Sequence, residues 1–301
     1  MIAHRSSPAW GAFVFALLLT LAPVAGADDP ASALAARQQA LREQLESNVF
    51  GVPLAVESAE EGGLERGEAY GVLARPFTAL SSALADPRAW CEIALLHLNI
   101  KTCTHERRGG DWLTFYSGRK FYESPEQAYA LRYAFRVEHA RADYLAVVLA
   151  ADRGPFGTRD YRIEVEAIPV GGQAFVHFRY AYRPSFLSST ATGGYLATLG
   201  RGKIGFTVTG RDAAGKPEYV GGMRGIVERN AVRYFLAIQA YLDAPAPEQY
   251  VQRLGRWFDL TERHAAQLHE LEKPEYLQYK ARERAEQRAR QQALDAGSSR
   301  P

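Results

Sequence analysis

Cys91 and Cys103 bracket His97, and His105 follows the second cysteine by two residues. In an exported chain the pair reads first as a disulfide that closes a short loop between a helix and the next strand. Such a loop stabilises a fold by on the order of 3 kcal/mol in the chain-entropy account. The second reading is a metal site that adds both histidines, and C-x5-H-x5-C-x-H matches no standard zinc spacing. No metal ligand set and no other cofactor is expected.

Further polar groups have the types that chemistry needs. Arg229, Asn230 and Arg233 lie close together in a helical stretch, where a few polar groups at a cavity wall would orient a ligand head group. The two arginines read as a salt-bridged outer face with Glu228, and Asn230 reads as facing inward. Glu68 and Tyr70 share one face of a predicted strand, a carboxylate and a phenol with no visible partner for acid–base work. His177 and Arg179 alternate with an aromatic set, which points them toward solvent. Gly200-Arg-Gly-Lys-Ile-Gly205 satisfies G-x-G-x-x-G, but a helical segment precedes it and Phe-Thr-Val-Thr-Gly follows. That is the reverse of the strand–turn–helix order of a dinucleotide site, so it reads as a turn feeding a strand. The chain has no G-x-S-x-G, H-E-x-x-H or C-x-x-C motif, which leaves the standard hydrolase and zincin chemistries without support.

Four segments must position these groups. Residues 1–27 read as a cleavable secretory signal, with basic His4 and Arg5, an apolar run from Trp10 to Leu21, and Ala25 and Ala27 as an A-x-A cleavage site. A periplasmic or secreted protein, soluble after cleavage, is the expectation. Residues 28–50 read as an N-terminal helix with a stripe of Leu34, Leu41 and Leu45. Residues 51–243 hold the main domain, and 244–301 add a helical extension that ends in a charged, solvated helix.

Within 51–243 two paired strands, VPLAVES and LERGEAYGVL, join at Glu61-Gly62-Gly63, and two short helices follow from Pro76 and from the Asp86-Pro87 cap. Five or more alternating runs come next. Tyr129, Leu131, Tyr133, Phe135 and Val137 share one face, as do Tyr161, Ile163 and Val165, and Val176, Phe178, Tyr180 and Tyr182. Arg162, Glu164, Glu166, His177 and Arg179 face the other way, giving a sheet that is aromatic inside and wet outside. A long helix over 222–242 then places Met223, Val227, Asn230, Tyr234, Ile238 and Tyr241 on one face.

The segments RPFTALSSALADPRAWCEI and GGMRGIVERNAVRYFLAIQAYL, set either side of the long antiparallel run, resemble the small helices and gripping helix of the START-related (SRPBCC) superfamily. That superfamily includes polyketide cyclases, pollen-allergen-like proteins and lipid-transfer domains, and the resemblance spans Val52 to Leu242. It implies an α+β helix-grip fold, a curved antiparallel sheet wrapped on a long C-terminal helix. It also implies a cavity for a lipid or other hydrophobic small molecule. The residues expected to touch that ligand are Tyr70, Tyr133, Phe135, Tyr161, Ile163, Phe178, Tyr180, Asn230 and Tyr234. A non-enzymatic binder is the leading reading. A cyclase-like or dehydratase-like enzyme using the same cavity, or a solid-cored interaction module, is the alternative.

A formal net charge of +2 supplies no global field for nucleic acid, so no nucleic-acid partner is expected. The tail from Lys280 is locally basic, and transient contact with an anionic membrane surface through it is a secondary expectation.

Overall fold

The computed structural model describes residues 29–48, 51–186 and 202–298, with Met1, Ser188 and Thr190. The leader with its Ala25–Ala27 site, Gly200, and most of the small-residue segment after Pro184 lie outside the described residues. In chain order the elements are α1 (Pro30–Ala40), α2 (Arg42–Glu46), β1 (Leu54–Glu61), β2 (Leu64–Leu73), α3 (Phe77–Leu84), α4 (Pro87–Ala94), β3 (Ile100–Arg107) and β4 (Asp111–Ser117). They continue with β5 (Tyr129–Ala140), β6 (Leu145–Arg153), β7 (Arg159–Val170), β8 (Gln173–Arg183), β9 (Val208–Arg211) and β10 (Pro217–Tyr219). The chain closes with α5 (Gly222–Asp243), α6 (Tyr250–Glu262), α7 (Ala265–Leu268) and α8 (Lys273–Ser298). No described helix is long and apolar enough to cross a membrane.

Strands β1 to β8 form one sheet in the order β1-β2-β8-β7-β6-β5-β4-β3, and every pairing is antiparallel. The first hairpin turns at Gly62 and Gly63, whose φ angles of 57° and 76° are what a two-residue turn of the twist-compatible kind requires. Helix α5 lies against β1, β2 and β8, and the whole is the expected α+β helix-grip arrangement. Gly67 and Gly71 of β2 permit the approach. A Cβ on Gly67 would sit 2.3 Å from the carbonyl oxygen of Val227, and one on Gly71 would sit 2.5 Å from the Phe235 ring.

The inner face is as the alternation predicts over the middle of the sheet. Leu131, Tyr133, Phe135, Tyr161, Ile163, Val165, Val176 and Phe178 are buried in one cluster with Ala231, Tyr234 and Ile238 of α5. Tyr129 and Val137, toward the ends of β5, are exposed. The outer face is not wet throughout. Leu34, Leu41 and Leu45 pack there against Tyr70, Tyr144, Ile168 and Phe175 in a second cluster, because the apolar stripe of the N-terminal helices needs a partner and these residues supply one.

The C-terminal helices join the main core through Tyr250, Leu254, Trp257, Leu268 and Tyr276. Helix α8 is not solvated along its length: Lys280 is 1 % exposed and Glu283 is fully buried. It covers β3, an edge strand of the sheet. Gln287 Oε1 accepts from the Cys103 N–H at 2.9 Å, and Gln291 both accepts from the His105 N–H and donates to its carbonyl, each at 2.8 Å. Polar side chains are buried here because they satisfy a strand edge that would otherwise recruit another chain. Lys101 and Lys280 meet on Glu283 at 3.0 and 2.7 Å.

Cys91 and Cys103 form the expected disulfide, with Cα atoms 5.0 Å apart, and it ties α4 to β3. Cys103→Ser should lower stability by about 2–5 kcal/mol and speed amide exchange over residues 97–103 while the sheet persists. An unchanged melting temperature would show the bond to be dispensable. Gly67→Ala should cost about 1–3 kcal/mol by overpacking against backbone, read as a lowered denaturant midpoint. A neutral result would mean that α5 does not seat as described.

Candidate ligand-binding site

Five tyrosines gather between the sheet and α5. Tyr133 (β5), Tyr161 (β7), Tyr180 and Tyr182 (β8) come from alternating inward positions, and Tyr234 comes from α5. Tyr234 stacks on Phe178 and Tyr180 with ring centroids 5.6 and 6.4 Å apart. Tyr161 meets Tyr133 edge-on at 6.5 Å and stacks on Tyr182 at 5.4 Å. Burial, reinforced by the neighbouring phenols, pushes the Tyr133 and Tyr180 hydroxyls well above the usual phenol value, and burial raises Tyr234 as well. All three stay neutral donors. Tyr161 Oη donates to Thr158 Oγ1 at 2.9 Å. Among the described residues no hydrogen-bond partner is found for the hydroxyls of Tyr133, Tyr180 and Tyr234.

One helical turn before Tyr234, Asn230 lines a cleft of about 680 Å³. Phe121 and Ile226 supply apolar wall. Lys120 from the β4–β5 connection, Lys203 ahead of β9, and Arg233 of α5 all converge on Glu270, which follows α7, at 2.6, 3.0 and 2.8 Å. Burial raises the Glu270 pKa, but these cations outweigh it and hold the carboxyl below its usual range.

His97 lies against Tyr234 of α5. Its ring stacks on Tyr234 with centroids 4.8 Å apart, and its Nδ1 accepts the Asn99 N–H at 3.1 Å, which places the proton on Nε2. Burial, followed by the nearby charges of Arg233 and Lys280, drives its pKa well below the usual imidazole value, and the Asn230 side chain opposes the shift. A neutral imidazole beside Asn230 and Tyr234 is the result.

The predicted ligand contacts therefore divide. Tyr133, Phe135, Tyr161, Ile163, Phe178, Tyr180 and Tyr234 stand together on the inner side, and Asn230 stands at the cleft. Tyr70 does not join them. It pairs across the sheet with His177, on the outer face, and stacks on that ring at 4.3 Å under α1. Glu68 shares that face and accepts from Tyr70 Oη at 3.1 Å, so neither reaches Asn230. Strand parity alone decides this, since Ala69 between them faces α5. The reading of Arg229 and Arg233 as an outer face paired with Glu228 is also overturned. All three are buried, because α6, α7 and the segment before β9 cover the far side of α5. Arg229 donates to the Ile204 carbonyl at 3.0 Å. Glu228 instead accepts from Ser58, Thr207 and the backbone N–H of Phe206. Among the described residues no group of three or more His, Cys, Asp or Glu side chains could hold a metal.

His177 is on the outer side as its parity predicts, but it is only 5 % exposed. It contacts Glu166 at 2.9 Å and Glu68 at 3.5 Å, and Arg179 bridges Glu68 and Glu164. Burial would lower its pKa, but the two carboxylates outweigh burial and raise it. Glu68, despite burial, is lowered to about 2 by His177 and Arg179.

No family model matches the chain, and no curated protein matches it in sequence. Among solved structures the chain is similar to a protein from Arthrobacter aurescens, at 12% identity over 64% of this chain and 92% of that one, with a TM-score of 0.36. It is similar to Ara h 8.0201 at 10% identity over 60% and 98%, TM-score 0.35. It is also similar to the Zhui aromatase/cyclase from Streptomyces sp. R1128 at 10% identity over 67% and 96%, TM-score 0.30. Likenesses this distant assign no family.

The outer-face network yields a pH prediction. Glu68 contributes stability that is present above its unfolded value of 4.5 and lost as pH falls toward about 2. His177 contributes fully below 6.5 and loses its contribution as pH rises through its raised folded value. The stability gap between the wild type and His177→Gln should be widest between these limits and should narrow as pH rises from 6.5 through the raised folded value of His177. Denaturant midpoints measured across that range check it, and a gap independent of pH would show His177 to be uncharged in the folded protein.

Proposed function

We propose that this chain binds a hydrophobic small molecule or lipid between the curved sheet and α5, without chemistry, and does so after export. The observation that carries the reading is the gathering of aromatic side chains between the sheet and α5, with the Asn230 cleft one helical turn away. Asn230 and Tyr234 lie one turn apart on α5, and His97 touches the second while its pKa responds to the first. Apolar wall, unbonded phenol hydroxyls and a few placed polar groups are the ingredients of a small-molecule site. The arrangement expected for a cyclase-like enzyme, with Glu68, Tyr70 and Asn230 around one cavity, is absent, since the sheet separates the first two from the third.

Export through residues 1–27 accords with a disulfide in the folded chain, because such bonds persist in oxidising compartments. Contact of the tail with an anionic membrane is the weaker part of the proposal. Lys280 is spent on Glu283, Arg284 on Glu92 and Arg290 on Glu126.

Mass spectrometry of organic extracts from the purified, exported protein should recover an apolar molecule in stoichiometric amount. Protein that arrives empty and takes up no apolar ligand in solution would sink the binding function.

A further inference from the structure

The end of the sheet at which β5 and β7 begin carries rings that the core leaves outside. Phe156 is 50 % exposed, Tyr129 47 % and Phe186 89 %. Tyr129 meets Phe156 edge-on with centroids 4.8 Å apart, and the hydroxyl of Ser185, one residue before Phe186, donates to the Phe156 carbonyl. The backbone is strained at the same place. Among the described residues the non-glycine positions with positive φ are Phe156 and Asp160, both at 56°. Asp adopts that conformation at little cost, whereas a bulky ring there is an outlier. The loop is braced in this shape, since the Gly154 N–H donates to the Thr158 carbonyl at 2.8 Å and the Thr158 N–H to the Pro155 carbonyl at 3.1 Å. A ring held into water at a cost in backbone energy marks a contact surface.

The charge beside the rings is basic. Arg153, Arg159 and Arg183 stand in a row across β6, β7 and β8, Arg153 in register with Arg159 and Arg159 with Arg183. Like charges so placed repel. Asp160 accepts from Arg183 at 3.0 Å and lies 3.8 Å from Arg159, and Asp152 is the other carboxylate of these strand ends. Glu126, near Tyr129, pairs with Arg290. Glu60 and Glu61 turn the same end acidic only at β1, two strands beyond β8, so the basic part coincides with the aromatic part. The three rings expose about 400 Å² between them, about half of what one partner buries in a stable protein interface. That is small for a protein and sufficient for a lipid surface, which a few aromatic anchors and arginines can hold. We propose that Phe156, Phe186 and Tyr129 enter an anionic bilayer at headgroup depth, with Arg153 and Arg159 on the lipid phosphates. The inference goes beyond ligand binding and does not require it, and it places membrane contact at this end of the sheet instead of on the C-terminal tail.

The test is flotation of the full chain with vesicles of phosphatidylglycerol and, separately, of phosphatidylcholine. Wild type should partition onto phosphatidylglycerol at least about tenfold better, and added salt should narrow the difference. Phe156→Gly should leave the melting temperature close to wild type, because glycine takes a φ of 56° freely, and should weaken partitioning about tenfold. Phe186→Ser and R153Q/R159Q should weaken it by similar factors. Wild type and variants share leader and tail, so a loss produced by these substitutions assigns the binding to this end of the sheet. Vesicle binding that all of them leave unchanged would overturn the proposal and move the contact to the tail or the leader. Equal partitioning onto both lipids would overturn the anionic surface, and no flotation with either would overturn the membrane contact altogether. Self-association that Phe156→Gly abolishes, again without flotation, would assign the rings to a second copy of the chain instead.

Discussion

A helix with the sheet on one side and α6 and α7 on the other has little face left for charge, yet α5 carries Glu228, Arg229 and Arg233 within six residues. Leaving one buried charge without its partner costs several kcal/mol, so other elements must be brought to these side chains. Glu228 draws in Ser58 from β1 at 2.5 Å and both the N–H and the hydroxyl of Thr207 at 3.0 and 2.7 Å. Arg233 draws in the Leu268 carbonyl and Glu270, and its own carbonyl accepts from Trp257 Nε1 at 3.1 Å. The polar side of α5 thereby fixes where β1, the approach to β9, and the turn after α7 must lie. The sheet side is set by Gly67 and Gly71, which let the helix axis come close enough for these reaches to be made.

The same logic governs α8, whose buried side is polar. Lys280 donates to the carbonyls of His97 and Ile100 at 2.7 and 2.9 Å, and Lys101 donates to those of Leu98 and Phe121 at 3.0 Å each. The His97 and Leu98 carbonyls belong to the turn between α4 and β3, the segment that the disulfide closes and in which His97 sits, while Ile100 opens β3 and Phe121 lies in the β4–β5 connection. The turn is therefore held from two sides, covalently through Cys91 and Cys103 and electrostatically through the two lysines on Glu283. His97 is thereby held from its backbone against Tyr234.

Much of this was legible in the residues. Alternation from Asp111 to Arg183 located β4 to β8 and their inner face, Gly62-Gly63 located the first hairpin, and Asp86-Pro87 located the α4 cap, where the Asp86 side chain accepts the Arg88 N–H at 2.9 Å. Burial by pairing was not legible. Arg229, Arg233, Lys280 and Glu283 carry the side chains that most often meet solvent, and what buries them lies far along the chain, beyond the reach of any local pattern. Tyr70 was misplaced because an aromatic on a strand was taken to face the aromatic interior, when its neighbour Ala69 does so. His97 was weighed only as a metal ligand beside the cysteines. Its apolar setting in Ala-Leu-Leu-His-Leu was the available signal for a buried, neutral imidazole. Lys120, Lys203 and Glu270 gave no signal, since each stands in a connection and only the fold brings them together.

The cleft draws its charge from elements of two kinds. Arg233 and Asn230 belong to α5, whereas Glu270 belongs to the segment that follows α7, beyond the sheet and the helix that it grips. A sheet and one helix alone would leave the far side of α5 open to water, where an arginine is an ordinary surface charge of small consequence. Covering that side with α6 and α7 places Arg233 in a poorly solvated setting and supplies one carboxylate against three cations. The C-terminal helices thus turn a stretch of helix surface into a poorly solvated, charged wall, and they hold α5 by its polar side as firmly as the sheet holds it by its apolar one.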